Sequence, residues 1–519
     1  MTSVQIGLPL TIEDAVDVAY GRRPVGLAPV ARAAMAASRA VVDTAIEDSD
    51  HAHYGINTGF GALAEVSIPT EALEQLQVNL VRSHASGVGH PLSEEVVRLI
   101  MLLRAQVLAA GYSGVRVEVV EKLCELIERR VHPLIPAQGS VGASGDLAPL
   151  AHLALTLIGE GEATYQGETM ASKEALDRAG VQPLRLRAKE GLALINGTQV
   201  MTAIAAIAYD RAMRVLRAAD ISGALTVEGF LGSVRAFDPR IHALRPFEGQ
   251  ACSAGNLRNL CRDSPLVASH RDCKQVQDPY SLRCMPQVHG ASRDALSHVG
   301  AVLAVELNAV TDNPLIFSTD QEDAGFEDIV LSGGNFHGQP VSMASDFACI
   351  ALTTLASISE RRTEQLVNPH LNRGLPAFLV PGSGLNSGLM IAQVTASALV
   401  SECKGLSTPA SVDSIPSSAS REDHVSMGPI AARRFLEVVE NAERVIAIEL
   451  MTAAQSIDLR APLTPGVGTL AAWRCVREVV PKLEADRVLY RDIEALAVLI
   501  RDGVLERRVR AALAPVELI

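Results

Sequence analysis

Aromatic and basic residues are both scarce in this 519-residue sequence. Phe, Trp and Tyr make up only 3% of it, whereas hydrophobic residues make up 48%, and this alanine- and leucine-rich composition favours helices over sheets. The chain has 46 Lys and Arg against 59 Asp and Glu, which gives a formal net charge of -13. This acidic balance argues against nucleic acid or an anionic membrane as the main partner.

Several familiar motifs are also missing. The eight cysteines include no Cys-x-x-Cys pair, and there is no His-Glu-x-x-His, so we expect free thiols and no metal site. The N-terminus lacks the basic and apolar regions of a secretory signal. The uncharged stretch near 374–401 is interrupted by prolines and glycines, which argues against a membrane span. These absences predict a cytoplasmic protein.

The most informative segment of the sequence surrounds one glycine-flanked serine, Ser144. It lies in Gly142-Ala143-Ser144-Gly145-Asp146, where the glycines allow unusual backbone conformations. The segment does not match the hydrolase pattern Gly-x-Ser-x-Gly, because Asp146 follows Gly145, and it lacks the lysine of a phosphate-binding loop. Asp146 is predicted to cap a helix from about 147 to 158, which places the serine just before a helix N-terminus. A second Ala-Ser-Gly tripeptide occurs at 85–87.

The hydrophobic pattern predicts a mainly α protein with two parts. Residues 1–200 alternate short helices with glycine-bearing loops and are predicted to form an N-terminal domain. Residues 201–519 are dominated by longer helical patterns, such as the apolar stripe between Phe435 and Leu450. Strand signals are sparse, so any sheet is expected to be small.

Seven segments, taken in order, resemble the aromatic amino acid ammonia-lyases over about residues 10–510. The segments are Tyr54–Gly61, Ser83–Gly89, Gly142–Asp146, Gly191–Gln199, Gln277–Arg283, Ser332–His337 and Glu422–His424. The resemblance implies a long central helical bundle of the fumarase/aspartase-like superfamily with a loop-rich N-terminal domain. It also implies a homotetramer whose active sites draw on several subunits.

The resemblance further implies that Ala143-Ser144-Gly145 cyclises into 4-methylideneimidazol-5-one (MIO), with the loss of two waters. In such enzymes the amide nitrogen at the Gly145 position attacks the Ala143 carbonyl, and Ser144 supplies the methylidene carbon. No dissociable cofactor is expected. The 85–87 tripeptide lacks the Asp-Leu-Ala-Pro sequence that follows Gly145 and is expected to remain an ordinary peptide.

Site residues carry over from the resemblance position by position. The implied catalytic residues are Tyr54, Ala143, Ser144, Gly145, Tyr280 and Glu422. The implied substrate-binding residues are His84, Asn196, Gln277, Arg283 and Phe336. Tyr54 is the expected base, and Glu422 is the alternative. Arg283 is expected to bind the substrate carboxylate with help from Asn196. Structural roles are the alternatives for Tyr54 and Phe336, and an ion pair is the alternative for Arg283.

Within the family, the resemblance at two positions implies L-histidine as the substrate, with ammonia and trans-urocanate as products. His84 and Glu422 both provide groups that can bond an imidazole. Arg421 departs from the usual pattern: turned inward it would neutralise Glu422, whereas turned outward it would leave Glu422 unaffected. A tyrosine or phenylalanine ammonia-lyase or aminomutase is the alternative within the family. A catalytically silent helical oligomer is the alternative from a different class.

Overall fold

The computed structural model describes residues 2–47, 53–272, 275–317 and 329–519, and helices dominate them. The helices are α1 Ile12–Ala19, α2 Pro29–Glu47, α3 Leu73–His84, α4 Glu94–Ala109, α5 Val117–Arg129, α6 Leu147–Leu157, α7 Ser172–Ala179, α8 Glu190–Ile195, α9 Gln199–Gly229, α10 Pro239–Ala243, α11 Glu248–Leu260, α12 Pro265–Ala268, α13 Tyr280–Arg283, α14 Met285–Glu306, α15 Gln339–Val367, α16 Met390–Leu406, α17 Gly428–Asp458, α18 Val467–Val479, α19 Tyr490–Arg501 and α20 Val504–Leu513. The predicted mainly α fold is confirmed.

The strands are short and form only small sheets in the described residues. They are β1 Val4–Ile6, β2 Val25–Leu27, β3 Val88–Pro91, β4 Val131–Pro133, β5 Pro136–Gln138, β6 Glu162–Tyr165, β7 Glu168–Ala171, β8 Leu315–Ile316 and β9 Val330–Leu331. Strands β1 and β2 pair in parallel, whereas β3–β5, β4–β6–β7 and β8–β9 pair antiparallel. The β3–β5 pair matters for the site, because β5 leads into the segment around Ser144.

Helix α17 shows why the long helices form. Its apolar residues from Phe435 to Leu450 recur at three- and four-residue intervals, and the members of this stripe are at most 1% exposed. Pro429 lies at the start of the helix, where its missing N–H would have no intrahelical partner. The stripe therefore belongs to the core, as its spacing predicts.

The chain divides into two compact units, each built from separate segments. The first unit comprises Met1–Ile207, Ala301–Ser345 and Pro409–Arg433, and the second comprises Ala208–Gly300, Asp346–Thr408 and Arg434–Ile519. The division into domains at 1–200 and 201–519 stays a prediction. The first unit includes two later segments that carry the Gly-Gly-Asn-Phe-His and Glu-Asp-His motifs, so these motifs share a unit with Ser144.

A buried carboxylate joins several helices within the second unit. Both oxygens of Glu449 on α17 bond the guanidinium of Arg362 on α15, at 2.6 and 2.8 Å. Hydroxyls of Ser222, Thr226 and Ser359 also donate to it at 2.6–3.0 Å. Because every group has a partner, this buried charge fixes the relative positions of the helices rather than disrupting them.

Helix α15 is the one described helix that is long and apolar enough to cross a membrane by length and composition. Its most apolar 18 residues have a mean hydropathy of 1.5, and 61% of that window is buried in the protein. A buried core helix meets the same criteria, so the observation is weak evidence for a span.

The buried imidazole of His132 predicts that the first unit loses stability in acid. Burial, together with Arg98 and Arg130, lowers the pKa of His132 to about 4. The folded chain therefore excludes a proton that the unfolded chain binds below about pH 6.5, so stability is full above that pH and falls toward pH 4. The loss is at most about 3 kcal/mol.

His132→Gln should therefore flatten the fall in thermal unfolding midpoint between about pH 7 and pH 5 relative to the unsubstituted chain. His370 is exposed and provides the matched control, because His370→Gln should leave the pH dependence unchanged. Equal pH dependence in the unsubstituted chain and the His132 variant would show that this imidazole is not the acid-sensitive group.

Candidate active site

The segment around Ser144 has a backbone that only its glycines allow. It follows β5 and precedes α6, and both Gly142 and Gly145 have positive φ, at 67° and 71°. Ala143 is 7% exposed, and the Ser144 side chain is half-buried. A Cβ added at Gly145 would overlap the carbonyl of Gly197. The tripeptide thus lies tightly against a second loop.

That second loop, the turn Asn196–Gln199, forms hydrogen bonds with the residues on both sides of Gly145. The Asn196 side-chain amide donates to the carbonyl oxygen of Ser144 at 3.2 Å. The carbonyl oxygen of Gly197 accepts from the Asp146 N–H at 2.7 Å. Asn196 is only 4% exposed, so its amide is held in place by the surrounding protein.

Gly145→Ala should destabilise the fold much more than Gly180→Ala, although both glycines have a φ of 71°. A Cβ added at Gly180 meets nothing within 4 Å. The free energy of unfolding of that variant should therefore fall only by the cost of a left-handed backbone at a non-glycine residue, roughly 1–2 kcal/mol. At Gly145 the overlap with Gly197 adds to this cost. Denaturant unfolding of both variants measures the difference, and equal losses would contradict the close packing of the two loops.

The prediction that Asp146 caps α6 is wrong, because its side chain bonds the start of α9 instead. The side chain makes no cap bond to α6; its Oδ2 accepts from the N–H groups of Val200 and Met201, each at 2.9 Å, at the start of α9. Burial raises the pKa of this fully buried carboxyl to about 7. The chain fold brings a different helix N-terminus to Asp146, which local sequence cannot reveal. The residue therefore ties the Ser144 segment to α9.

The carboxylate of Glu422 reaches Ser144 directly. Ser144 Oγ donates to Glu422 Oε1 at 3.1 Å, and Ser417 Oγ donates to Oε2 at 2.6 Å. Ser417 and Glu422 also bond through their backbones, closing a tight turn over Ser418–Ser420, whose three residues all have positive φ. Such a strained turn is typical of a functional loop. It aims the carboxylate at the serine.

Arg421 lies outside this arrangement. Its side chain is exposed, and it makes no ion pair with Glu422 in the described part of the chain. Of the two orientations considered from sequence, the structure has the outward one. Glu422 therefore has no cationic partner among the described residues.

The segment after Glu422 is fixed to the Ser144 loop and to the Gly-Gly-Asn-Phe-His loop. Ser426 Oγ donates to the Gly142 carbonyl at 3.0 Å, and the Met427 N–H donates to the Val141 carbonyl at 2.9 Å. The rings of His337 and His424 stack with centroids 5.8 Å apart. Phe336, next to His337, is half-buried. Three of the predicted segments thus meet in the first unit.

Tyr54 and His84 lie on two further loops of the same unit. The Tyr54 hydroxyl oxygen accepts from the Gly61 N–H at 3.4 Å, and the short turn Gly61–Leu63 contacts the turn Ser418–Ser420. His84 ends α3, and its Nδ1 lies 2.9 Å from the Leu80 carbonyl oxygen. The chain after His84 forms β3, which pairs with β5, the strand that leads into the Ser144 segment.

The second Ala-Ser-Gly tripeptide, at 85–87, differs from 143–145 in the hydrogen bonding of its glycine N–H. The Gly87 N–H donates to His152 Nε2 at 3.1 Å, and Gly87 lacks the positive φ of Gly145. Nothing in the described part of the chain accepts a bond from the Gly145 nitrogen. The attacking nitrogen would be that of the glycine. At Gly87 its N–H already has a hydrogen-bond acceptor, whereas at Gly145 it has none among the described residues.

Gln277, Tyr280 and Arg283 belong to the second unit. The Arg283 guanidinium lies over the Tyr280 ring, 4.4 Å from its centroid, and Tyr280 is 71% exposed. Gln277 and Arg283 line a cavity of about 330 Å³. Arg283 forms no ion pair in the described residues, and its buried Nε has no hydrogen-bond partner, so the guanidinium has donors left for an anionic ligand.

Sequence reasoning missed several residues that hold these loops. Ser417 and Ser426 bond residues far away in sequence, and nothing in their local pattern reveals this. Arg104 is different, because an arginine within the apolar pattern of α4 is itself a signal of a buried charge. Its Nη1 donates to the Asn196 carbonyl at 2.6 Å.

The fold and this cluster of loops define a lyase. The chain belongs to the aromatic amino acid lyase family, which it matches over residues 10–478, and it is a carbon–nitrogen lyase. It is similar to the histidine ammonia-lyase of Sorangium cellulosum, with 57% identity covering 98% of this chain and 99% of the relative.

Solved structures give the same family. The histidine ammonia-lyase of Trypanosoma cruzi superposes with a TM-score of 0.90 at 43% identity, covering 99% of this chain and 96% of that one. The tyrosine aminomutase of Streptomyces globisporus superposes with a TM-score of 0.92 at 38% identity over the whole of both chains. The predicted family and its helical architecture are confirmed.

Proposed function

We propose that this protein is a histidine ammonia-lyase, which eliminates ammonia from L-histidine to give trans-urocanate. The observation that carries the proposal is the position of Ser144 between the Asn196 amide and the Glu422 carboxylate. The high identity to a histidine ammonia-lyase over nearly the full chain supports the choice of substrate.

The residues around Ser144 fit the formation of MIO. The positive φ of Gly145 and its nitrogen without an acceptor suit a backbone that folds back on the Ala143 carbonyl. Ser144 carries the hydroxyl that must leave, and Asn196 bonds the carbonyl oxygen that would remain in the ring. Once formed from these residues, MIO would supply an electrophile that makes the amino group a better leaving group.

Residues of the chain carry the remaining tasks of the elimination. Tyr54 takes the β-proton, a step that requires its phenolate form. The Gly61 N–H, which donates to this oxygen at 3.4 Å, is placed to stabilise the negative charge. Arg283 binds the substrate carboxylate as a planar fork, with Asn196 assisting. Gln277 and Tyr280 bond groups around the amine, and Phe336 packs beside the reacting centre.

The imidazole of the substrate is recognised by Glu422 and His84. Glu422→Gln removes the negative charge that an imidazole N–H prefers, and should lower kcat/KM for L-histidine by about 10- to 100-fold, the worth of a charged hydrogen bond. The measurement is urocanate formation at several histidine concentrations. Asp423→Asn, at the exposed neighbouring position, is the matched control and should leave kcat/KM unchanged. Equal kcat/KM for both variants would show that Glu422 does not take part in substrate recognition.

A tyrosine-specific enzyme is the second candidate, favoured by the close superposition with a tyrosine aminomutase. Incubation of the purified protein with L-histidine, L-tyrosine or L-phenylalanine, with assays for ammonia, the conjugated acid and the β-amino acid, separates the candidates. Turnover of tyrosine without turnover of histidine would overturn the first choice. No turnover of any of them would favour the silent oligomer.

The proposal includes assembly as a homotetramer in the cytoplasm. Met343, Phe347 and Ile350 form an exposed apolar stripe along α15, 44–59% exposed, of the kind that subunit association covers. The seven described cysteines are all free thiols, which suits a reducing compartment. Light scattering that shows a monomer would contradict the tetramer.

A further inference from the structure

Arg104 is a buried cation directly behind the turn that holds Ser144. It lies on α4 and is completely buried. Its Nη1 donates to the Asn196 carbonyl at 2.6 Å and to Gln199 Oε1 at 2.8 Å. Gln199 in turn donates from Nε2 to Thr311 Oγ1 at 2.7 Å. The guanidinium thus fixes both ends of the Asn196–Gln199 turn.

Arg104 forms no ion pair in the described part of the chain. The carboxylate whose charge favours the charged form of Arg104, Asp312, is already paired with Lys189 at 3.0 Å. Nε and Nη2 of Arg104 have no described partner. Burial lowers the pKa of Arg104 to about 10, so the group still carries its charge at neutral pH. A buried, incompletely paired cation costs free energy that an apolar side chain of the same size would not.

The turn positioned by Arg104 contacts the atom where charge develops during maturation. First, the Gly145 nitrogen bonds to the Ala143 carbonyl carbon, and the Ala143 oxygen leaves as water with the amide hydrogens of Ser144 and Gly145. Then the Ser144 Cα–H leaves as a proton, a Cα–Cβ double bond forms, and the hydroxyl leaves with a proton as the second water. Loss of the Cα proton places negative charge on the Ser144 carbonyl oxygen, to which Asn196 donates.

We propose that Arg104 is a positioning residue for this maturation: it holds the Asn196 amide on the Ser144 carbonyl. The inference rests on the proposed function, because it concerns the formation of the same group. Arg104 touches neither substrate nor the reacting atoms. It acts through the turn Asn196–Gln199.

The test compares Arg104→Met and Arg104→Lys with Arg98→Met. Arg98 is the matched control, because it lies on the same helix, is 5% exposed and donates to main-chain oxygens of Val18 and Ile127, away from the turn. Folded protein is purified, its unfolding midpoint is measured, and intact mass gives the fraction that has lost two waters at successive times after synthesis.

Arg98→Met should lose stability but mature fully. Arg104→Met should mature on the order of 100-fold more slowly, the usual cost of a misplaced group. Arg104→Lys keeps the charge and should recover part of the rate. Maturation of the folded Arg104 variants at the rate of Arg98→Met would overturn the inference. An unsubstituted chain that keeps its full mass would instead overturn the proposed function.

Discussion

Replacing Ser144 with alanine is expected to lower kcat for L-histidine by on the order of 10⁴-fold or more, the scale of losing a group that reacts covalently. Alanine has no hydroxyl to leave as water, so the methylidene carbon cannot form. The fold should survive, because the half-buried Ser144 side chain makes one described hydrogen bond, to the half-buried Glu422. Ammonia release and thermal unfolding, measured on the same preparation, give both quantities.

Ser86→Ala is the matched control for Ser144→Ala. It makes the same chemical change in the same tripeptide, at an exposed position where the following glycine nitrogen already bonds His152. Its activity and mass should equal those of the unsubstituted chain. Loss of activity in Ser86→Ala, or its retention in Ser144→Ala, would assign the chemistry to the wrong serine.

Tyr54→Phe is expected to lower kcat by about 10²- to 10⁴-fold, the usual contribution of a general base. The ring remains and only the oxygen that would accept the β-proton is lost. The Ala143-Ser144-Gly145 segment should still lose two waters, because Tyr54 makes no described contact with it. Measurements of kcat and of intact mass on the same variant therefore separate catalysis from maturation.

Tyr165→Phe is the control for Tyr54→Phe. Tyr165 is also half-buried and lies on β6 of the same unit, with no described contact to the Ser144 segment. It should retain full activity. A Tyr54→Phe enzyme as active as the control would return Tyr54 to a structural role and leave another residue, such as Glu422, as the base.

The helices were largely predictable from sequence because their signals are local. The apolar spacing on α17 predicts its buried stripe, and the pattern after Asp146 predicts a helix over about 147–158 where α6 spans Leu147–Leu157. Asp146 shows the limit of local reasoning. Its position before α6 predicts a cap there, but its carboxylate accepts hydrogen bonds from the first turn of α9 instead.

The site was predictable in its residues but not in its contacts. Resemblance supplied Ser144, Asn196 and Glu422, yet the 3.1 Å bond between Ser144 and Glu422 joins positions 278 residues apart. Ser417, which orients Glu422, and Arg104, which anchors Asn196, lie outside the seven segments that resemble the family. Such supporting residues emerge only when distant segments are brought together in space.

The intact mass of the unsubstituted protein tests the central claim most directly. The account predicts that the chain is two water molecules lighter than its sequence requires, and that fragmentation places the whole deficit within Ala143-Ser144-Gly145. Ser144→Ala should lack the full deficit, and Ser86→Ala should keep it. An unsubstituted chain of full sequence mass, or a deficit located at residues 85–87, would contradict the account.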